Sequence, residues 1–247
     1  MRRMTIGGAG VALVALAIAG IGVGSLPSNR RVGSYATTLE GRTRSQRHNA
    51  RHALDKLRGC VIGPGETFSF NKRVGTYSRD AGYRKAPVSY NGQLIASWGG
   101  GVCQTSTTLY NAALLAGMVI VERHPHVFCP SYVPPGRDAA VAFREVDLRF
   151  RNPHPFAVWI DGRIEGPALE VDLIAAHALP RPYAVVSNVQ SIERVRTFVD
   201  GDPSASARVR TSGKRGYDVA VYRMSDGVRE LVSSDSYPAM HRVIEYR

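Results

Sequence analysis

The chain has 247 residues, 44% apolar and 21% charged, with 32 Lys and Arg against 20 Asp and Glu and a formal net charge of +12. This composition excludes an intrinsically disordered chain, and the length suffices for one or two domains with a real hydrophobic core. The basic excess implies anionic company (an acidic envelope polymer, anionic lipid or nucleic acid) or, more blandly, an Arg-rich proteome.

The N-terminus sets the compartment. Met1-Arg2-Arg3 is a short positive region, and Ile6 to Leu26 carries no charge. That length suits a transmembrane helix or a long signal h-region. Six glycines weaken the run as a helix, and Ala17-Ile18-Ala19 offers a small-x-small cleavage site. Arg30 and Arg31 follow it, so flanking charge does not choose an orientation. Residues 1–27 are expected to be a signal peptide or membrane anchor, with the remainder extracytoplasmic. There cysteines can pair, and Cys60, Cys103 and Cys129 leave one over.

Residues 28–34 are polar and basic and read as a linker. From Thr43 to Leu57, apolar residues at Ala50, Ala53, Leu54 and Leu57 predict a helix, stopped by Gly59. Gly63-Pro64-Gly65 is a turn, Thr67 to Phe70 a short strand, and Arg73 to Asn91 loop-rich. Gly99-Gly100-Gly101 is a flexible loop that runs into a helix over Thr105 to Ala116. Thr105 or Ser106 would cap that helix and Gly117 would end it. Val119-Ile120-Val121 is a strand, and Arg123-His124-Pro125-His126 leads out of it. After a turn at Pro134 to Asp138, Ala140 to Phe150 alternates as a strand. Phe156 to Ile160 and Leu169 to Ile174 form another pair, with Asp161-Gly162 as the turn. Pro180-Arg181-Pro182 marks a change of character. Beyond it, Tyr217 to Tyr222, Asp226-Gly227 and Arg229 to Val232 read as a hairpin. The expected fold class is α+β: a mixed helix and antiparallel-sheet domain over 35–179, then a small β-rich extension over 180–247.

The candidate chemistry centres on Cys103. A cysteine after a glycine loop, at the start of a helix, meets unpaired helix N–H groups and the positive end of the macrodipole, which favour the thiolate nucleophile. Glycines let a substrate backbone approach, and Gln104 can orient a carbonyl. Papain-like and transglutaminase-like enzymes use this layout, with a histidine on a later strand and an acid or amide to orient it. His126 is the preferred base over His124, because Pro125 separates it from the strand end. Asp138, at a nearby turn, is the preferred orienter over Asp147. The bland reading keeps Cys103 as a buried small apolar residue and the histidines on a solvated turn. His124, His126, Cys129 and Cys103 are a weaker zinc set, with a spacing that matches no common framework. No Lys follows the glycines as a phosphate loop requires. No metal or cofactor is expected.

Several stretches together resemble the VanW-like family: Pro64 to Asn71, Gly82-Tyr83 with Ala86-Pro87-Val88, Gly99 to Ala113, Glu122 to His126, Tyr132-Val133-Pro134 with Gly136 to Ala139, and Asp147 to Asn152. The resemblance covers roughly Tyr35 to Asp161 and implies an exported, wall-associated protein. It does not certify an enzyme, but it places Cys103, His126 and Asp138 within family motifs. Cys60 and Cys129 stand where members usually carry other residues, which implies a Cys60–Cys129 disulfide that leaves Cys103 free. The expected function is a cysteine-dependent acyl transferase or hydrolase acting on peptidoglycan peptides, with Cys103 as nucleophile, His126 as base and Asp138 as orienter. Gly100, Gly101, Gln104, Thr105, Arg123 and His124 are the candidate substrate-binding residues. Expected partners are peptidoglycan or another anionic wall polymer, and the cytoplasmic membrane through the N-terminal segment, but not nucleic acid. The alternative is a non-catalytic wall-binding or scaffolding protein, an accessory factor in glycopeptide resistance.

Overall fold

The computed structural model describes residues 29–90 and 93–246. The chain is α+β. An antiparallel sheet in the order β1 (Arg30–Thr38), β9 (Ala168–Ala175), β8 (Val158–Glu165), β2 (Val61–Ile62) carries two helices against it. The first, α1 (Arg44–Leu57), buries Ala50, Ala53, Leu54 and Leu57, the face its three- and four-residue spacing predicts. Thr43 accepts from the Gln46 N–H while the Gln46 side chain accepts from the Thr43 N–H, a capping box that fixes where α1 starts. The second, α3 (Val102–Leu115), packs on β1, β9 and α1 and is buried along nearly its whole length.

Two strand glycines allow this approach. A Cβ on Gly33 of β1 would lie 2.3 Å from the carbonyl oxygen of Ala112 in α3. One on Gly162 of β8 would lie 2.5 Å from the Glu170 oxygen and 2.9 Å from Leu54 Cδ1 of α1. Each glycine therefore sits where a helix meets the sheet more closely than a side chain permits.

A second sheet, β3 (Thr67–Ser69), β7 (Arg149–Arg151), β6 (Val119–Glu122), joins the same core through Phe68 and Phe150. The short α2 (Phe70–Val74) follows β3, and β4 (Lys85–Tyr90) pairs with β5 (Gln93–Trp98). The C-terminal strands form two further sheets. One is β10 (Ala184–Glu193), β13 (Gly216–Ser225), β14 (Val228–Tyr237); the other is β11 (Thr197–Asp200), β15 (Arg242–Tyr246), β12 (Ala207–Thr211).

The structure differs from the sequence expectation at definite places. The supposed linker is strand from Arg30 onward, paired with β9. The loop-rich stretch Arg73 to Asn91 contains β4, the first strand of the β4–β5 hairpin. Helix α3 starts three residues early, with Gly101 as N-cap and no side-chain cap bond. Thr105 and Ser106 lie inside it, bonded to neighbouring backbone. Ala140 to Phe150 is not one strand. It folds back at Arg144 (φ 67°) through an Ala142–Val146 bridge before β7. The turn between β8 and β9 lies beyond Glu165, and Asp161 and Gly162 are strand residues. The expected signal or anchor lies outside the described residues, among which no helix is long and apolar enough to cross a membrane.

The expected Cys60–Cys129 disulfide is corrected: all three cysteines are free. Cys60 packs against the main core, whereas Cys129 belongs to a separate cluster with Val219 and Tyr237. Burial raises the pKa of both thiols, that of Cys129 to about 11, so both stay protonated and unreactive.

Denatured without reductant, the protein is expected to titrate three thiols per chain; a single thiol would restore the bridge. Gly33→Ala is expected to lower the urea midpoint, at a cost of about 1–3 kcal/mol from overpacking against α3. An unchanged midpoint would mean that β1 and α3 do not approach this closely.

Candidate active site

The glycine loop is shaped by backbone contact. Gly101, at φ 108°, caps α3 in the left-handed region, and a Cβ there would lie 2.4 Å from the Gln46 carbonyl oxygen. A Cβ on Gly100 would lie 2.7 Å from the Pro87 oxygen. The loop thus rests directly on the backbones of α1 and β4 and delivers Cys103 as the second residue of α3. Its thiol is partly buried, with Sγ 3.4 Å from the Val141 carbonyl oxygen.

The Gln, Ser, Thr and Asn side chains of α3 are buried, and each has a hydrogen-bond partner. Ser106 donates to the Ala139 oxygen at 2.6 Å, and Thr107 accepts from the Ala139 N–H at 3.0 Å. Asn111 donates to the Arg137 oxygen at 2.8 Å and accepts from the Arg137 guanidinium at 2.6 Å. These bonds clamp the segment Arg137–Val141 along the helix and fix Asp138 within it.

Asp138 is 0% exposed, and both its oxygens are saturated. Oδ1 accepts from Arg123 at 2.9 Å and from the Tyr237 hydroxyl at 2.5 Å. Oδ2 accepts from the His126 backbone N–H at 2.7 Å and pairs with His126 Nδ1 at 2.6 Å. Burial alone would raise this carboxyl; the hydrogen bond and charge of His126, then Arg123 and Tyr237, hold it below the usual carboxylate range. An ionised Asp138 accepts the Nδ1–H of His126 in a hydrogen bond and leaves Nε2 as the ring nitrogen that can act on the sulfur of Cys103.

Arg123, 5% exposed, completes the cluster. Its guanidinium also pairs with Asp235 of β14 at 2.5 Å and donates to the oxygens of Gly136 and Asp138 and to the Tyr237 hydroxyl. Burial opposes its charge, but the surrounding acidic groups hold its pKa above the ordinary value.

The consequence at the sulfur is electrostatic. Burial would push the Cys103 thiol up, yet the hydrogen bond and charge of His126 overcome it and place the pKa below the ordinary thiol value. For His126, burial disfavours the imidazolium, but the bonds to Asp138 and Cys103 raise its pKa to about 10. His126 thus favours the thiolate of Cys103, and Asp138 and the sulfur favour the imidazolium of His126.

A cavity of about 250 Å³ opens on Cys103 and His126. Its lining includes the apolar Val127, Phe128 and Tyr132, the loop glycines Gly100 and Gly101, and the cations Arg42 and Lys214. Cys103, His126 and Asp138 are therefore brought together. Gln104 lines the cavity, but its amide N–H groups are engaged by Thr37 Oγ1 and the Thr38 oxygen, and its own oxygen by Arg42. Thr105 points into the core and donates to the Ala50 oxygen. Arg123 is engaged behind Asp138 and has no exposed face for a ligand. His124 is turned to Glu122, outside the cavity lining. Among the described residues no group of three or more His, Cys, Asp or Glu could hold a metal ion, and the imidazole that a zinc set would need is bound to Asp138. Sequence reading missed Tyr237, Asp235, Arg42 and Lys214, and no local pattern around them signals a role.

Residues 45–174 match the family model described as VanW like protein. The chain is 37% identical over 152 residues to uncharacterized protein YoaR of Bacillus subtilis, covering 62% of this chain and 50% of that one. It is 33% identical over 119 residues to the vancomycin B-type resistance protein VanW of Enterococcus faecalis, covering 45% and 43% respectively. The chain thus spans about half the length of the curated relatives it matches. A solved structure described as HP0197-G5, 18% identical, covers 26% of this chain and 97% of its own, with a TM-score of 0.16.

Alkylation of Cys103, read by site-resolved mass spectrometry, is expected to fall off at lower pH than that of an ordinary thiol, because its pKa is depressed. His126→Ala removes the hydrogen bond and charge of the imidazole and leaves the Val141 backbone hydrogen bond against burial and the Asp138 charge. The variant's profile is expected to move to higher pH, with slower reaction at neutrality. A His126→Ala profile that overlays the parent would show that the histidine does not ionise the sulfur.

Proposed function

The chain belongs to the VanW-like family, and on that footing we propose that it is an exported, cell-wall-associated cysteine acyl transferase or hydrolase acting on peptidoglycan peptides. One observation carries the reading: His126, bound by the buried, ionised Asp138, lines the same cavity as the sulfur of Cys103. That constellation has the residue roles of the papain-like and transglutaminase-like layout, with the nucleophile in the first turn of a helix. The relative named for vancomycin resistance, together with the net charge of +12, supports an anionic wall polymer as the setting.

The chemistry follows from the groups in place. The Cys103 thiolate attacks the carbonyl carbon of a peptide bond, and an S–C bond forms as the carbonyl π pair moves to oxygen. The Cys103 backbone N–H, one of the first-turn amides of α3 without an intrahelical acceptor, is positioned to steady that oxyanion. The C–N bond then breaks, and the leaving amine takes its proton from the His126 imidazolium. In the second half, neutral His126 removes a proton from water or an acceptor amine, which attacks the thioester. The thiolate departs, and the acid or new amide is released. Asp138 keeps the Nδ1 tautomer throughout and stays ionised.

Incubation with purified peptidoglycan fragments is expected to give a covalent adduct on Cys103 by intact-protein mass spectrometry, together with a changed fragment pattern. Cys103→Ala is expected to abolish both. An inert thiol, with wild-type cellular function retained by Cys103→Ser, would favour a non-catalytic wall-binding scaffold instead.

A further inference from the structure

Two cations line the cavity that opens on the sulfur, with no ion pair to an acid among the described residues. Arg42 is held in place by other groups. Its Nε donates to the Gln104 oxygen at 2.9 Å, and Gln104 is itself pinned by Thr37 and Thr38. Its guanidinium carbon lies 5.0 Å from the centre of the Tyr132 ring. The two terminal nitrogens, the fork that grips a carboxylate with two parallel hydrogen bonds, have no partner among the described residues. Lys214, from the segment between β12 and β13, lines the same cavity, and no described carboxylate lies within ion-pair distance of it. No Asp or Glu lines the cavity. Arg42 is thus positioned through its Nε, with its terminal nitrogens unengaged, in a recess that a second cation also lines.

We propose that this recess is a carboxylate-binding subsite: the acyl donor delivered to Cys103 carries a free carboxylate that Arg42 grips in a bidentate pair, with Lys214 as a second, looser cation. The proposal rests on Cys103 being the nucleophile and adds the charge of its substrate. The apolar lining of Val127, Phe128 and Tyr132 takes the uncharged part of the same molecule, so the preferred substrate is a peptide acid rather than a neutral or amidated peptide. Arg42 lies at the entry to α1 and Lys214 in the C-terminal strands, so the subsite draws on both halves of the chain. Its selectivity comes from leaving the Arg42 fork without a partner when the carboxylate is missing.

The test needs no knowledge of the natural substrate. Iodoacetate and iodoacetamide present the same reacting carbon to the thiolate, which displaces iodide and forms an S–CH₂ bond in each case, but only iodoacetate carries a carboxylate. The readout is the ratio of their second-order rates at Cys103, resolved by peptide mapping. His126 also favours an anion, so the decisive quantity is the change in ratio between parent and variants. Arg42→Gln is expected to lower the iodoacetate-to-iodoacetamide ratio by about tenfold, the scale of one charged hydrogen-bonded contact. Lys214→Gln is expected to lower it less, and Arg42→Lys to restore part of the loss. A ratio that survives Arg42→Gln while Cys103 still reacts rapidly overturns the carboxylate subsite and leaves the nucleophile in place. Slow reaction of the parent with both reagents, at the rate of an ordinary thiol, overturns the nucleophile and the subsite together.

Discussion

A carboxylate with no exposure to solvent is unstable as an ion unless the fold supplies what water would have supplied, and an ion transferred from water into a protein interior costs roughly several kcal/mol before compensation. Asp138 is in that position. Its compensation comes from three distant parts of the chain: Arg123 just after β6, the backbone and ring of His126, and the Tyr237 hydroxyl at the end of β14. Those contacts fix the loop after β6, orient the imidazole and draw the C-terminal sheet against the helical core. Arg123 is buried in turn and balanced by a second acid, Asp235. The buried charges are therefore a network that stands only when every member is present.

The other half of the arrangement is α3. Its sequence alternates little between apolar and polar, because its polar residues are not a solvated face. Ser106, Thr107 and Asn111 hold the segment that carries Asp138, and Thr105 and Gln104 hold α1 and β1. One helix thus presents the sulfur at its first turn and positions the acid from its middle. Cys103 and Asp138 share a rigid support, which keeps the distance between them insensitive to loop motion.

Much of this was legible in the sequence, and the failures have physical causes. The capping box at Thr43 and Gln46 and the Asp226-Gly227 turn are local signals, and the chain obeys them. Cys103, His126 and Asp138 were readable by residue type and chain order. Asp161-Gly162 was misplaced as a turn because a glycine that admits a helix against a strand looks the same in sequence as one that reverses the chain. The β4–β5 hairpin was missed because Pro87 interrupts its first strand, although Asn91-Gly92 lies between the strands in sequence. Thr105 and Ser106 looked like helix caps because hydroxyls suit that role, and only tertiary burial reassigns them. Tyr237 and Asp235 stand 114 and 112 residues from Arg123, and nothing local could have joined them.

The reach of that last contact has a consequence for timing. Cys103, His126 and Asp138 lie within a few dozen residues of one another, but the Tyr237 hydroxyl that donates to the buried acid is made 99 positions beyond Asp138, just after Asp235, the acid that balances Arg123. As the chain emerges from the ribosome or from a translocation pore, the sulfur is present long before the last members of the charge network. Until β14 docks, Asp138 lacks the Tyr237 hydroxyl and Arg123 lacks its second acid. On the proposed reading of Cys103 as a nucleophile, completion of the fold is the step that arms the thiol, and it stays dormant while the polypeptide is still threading past other proteins.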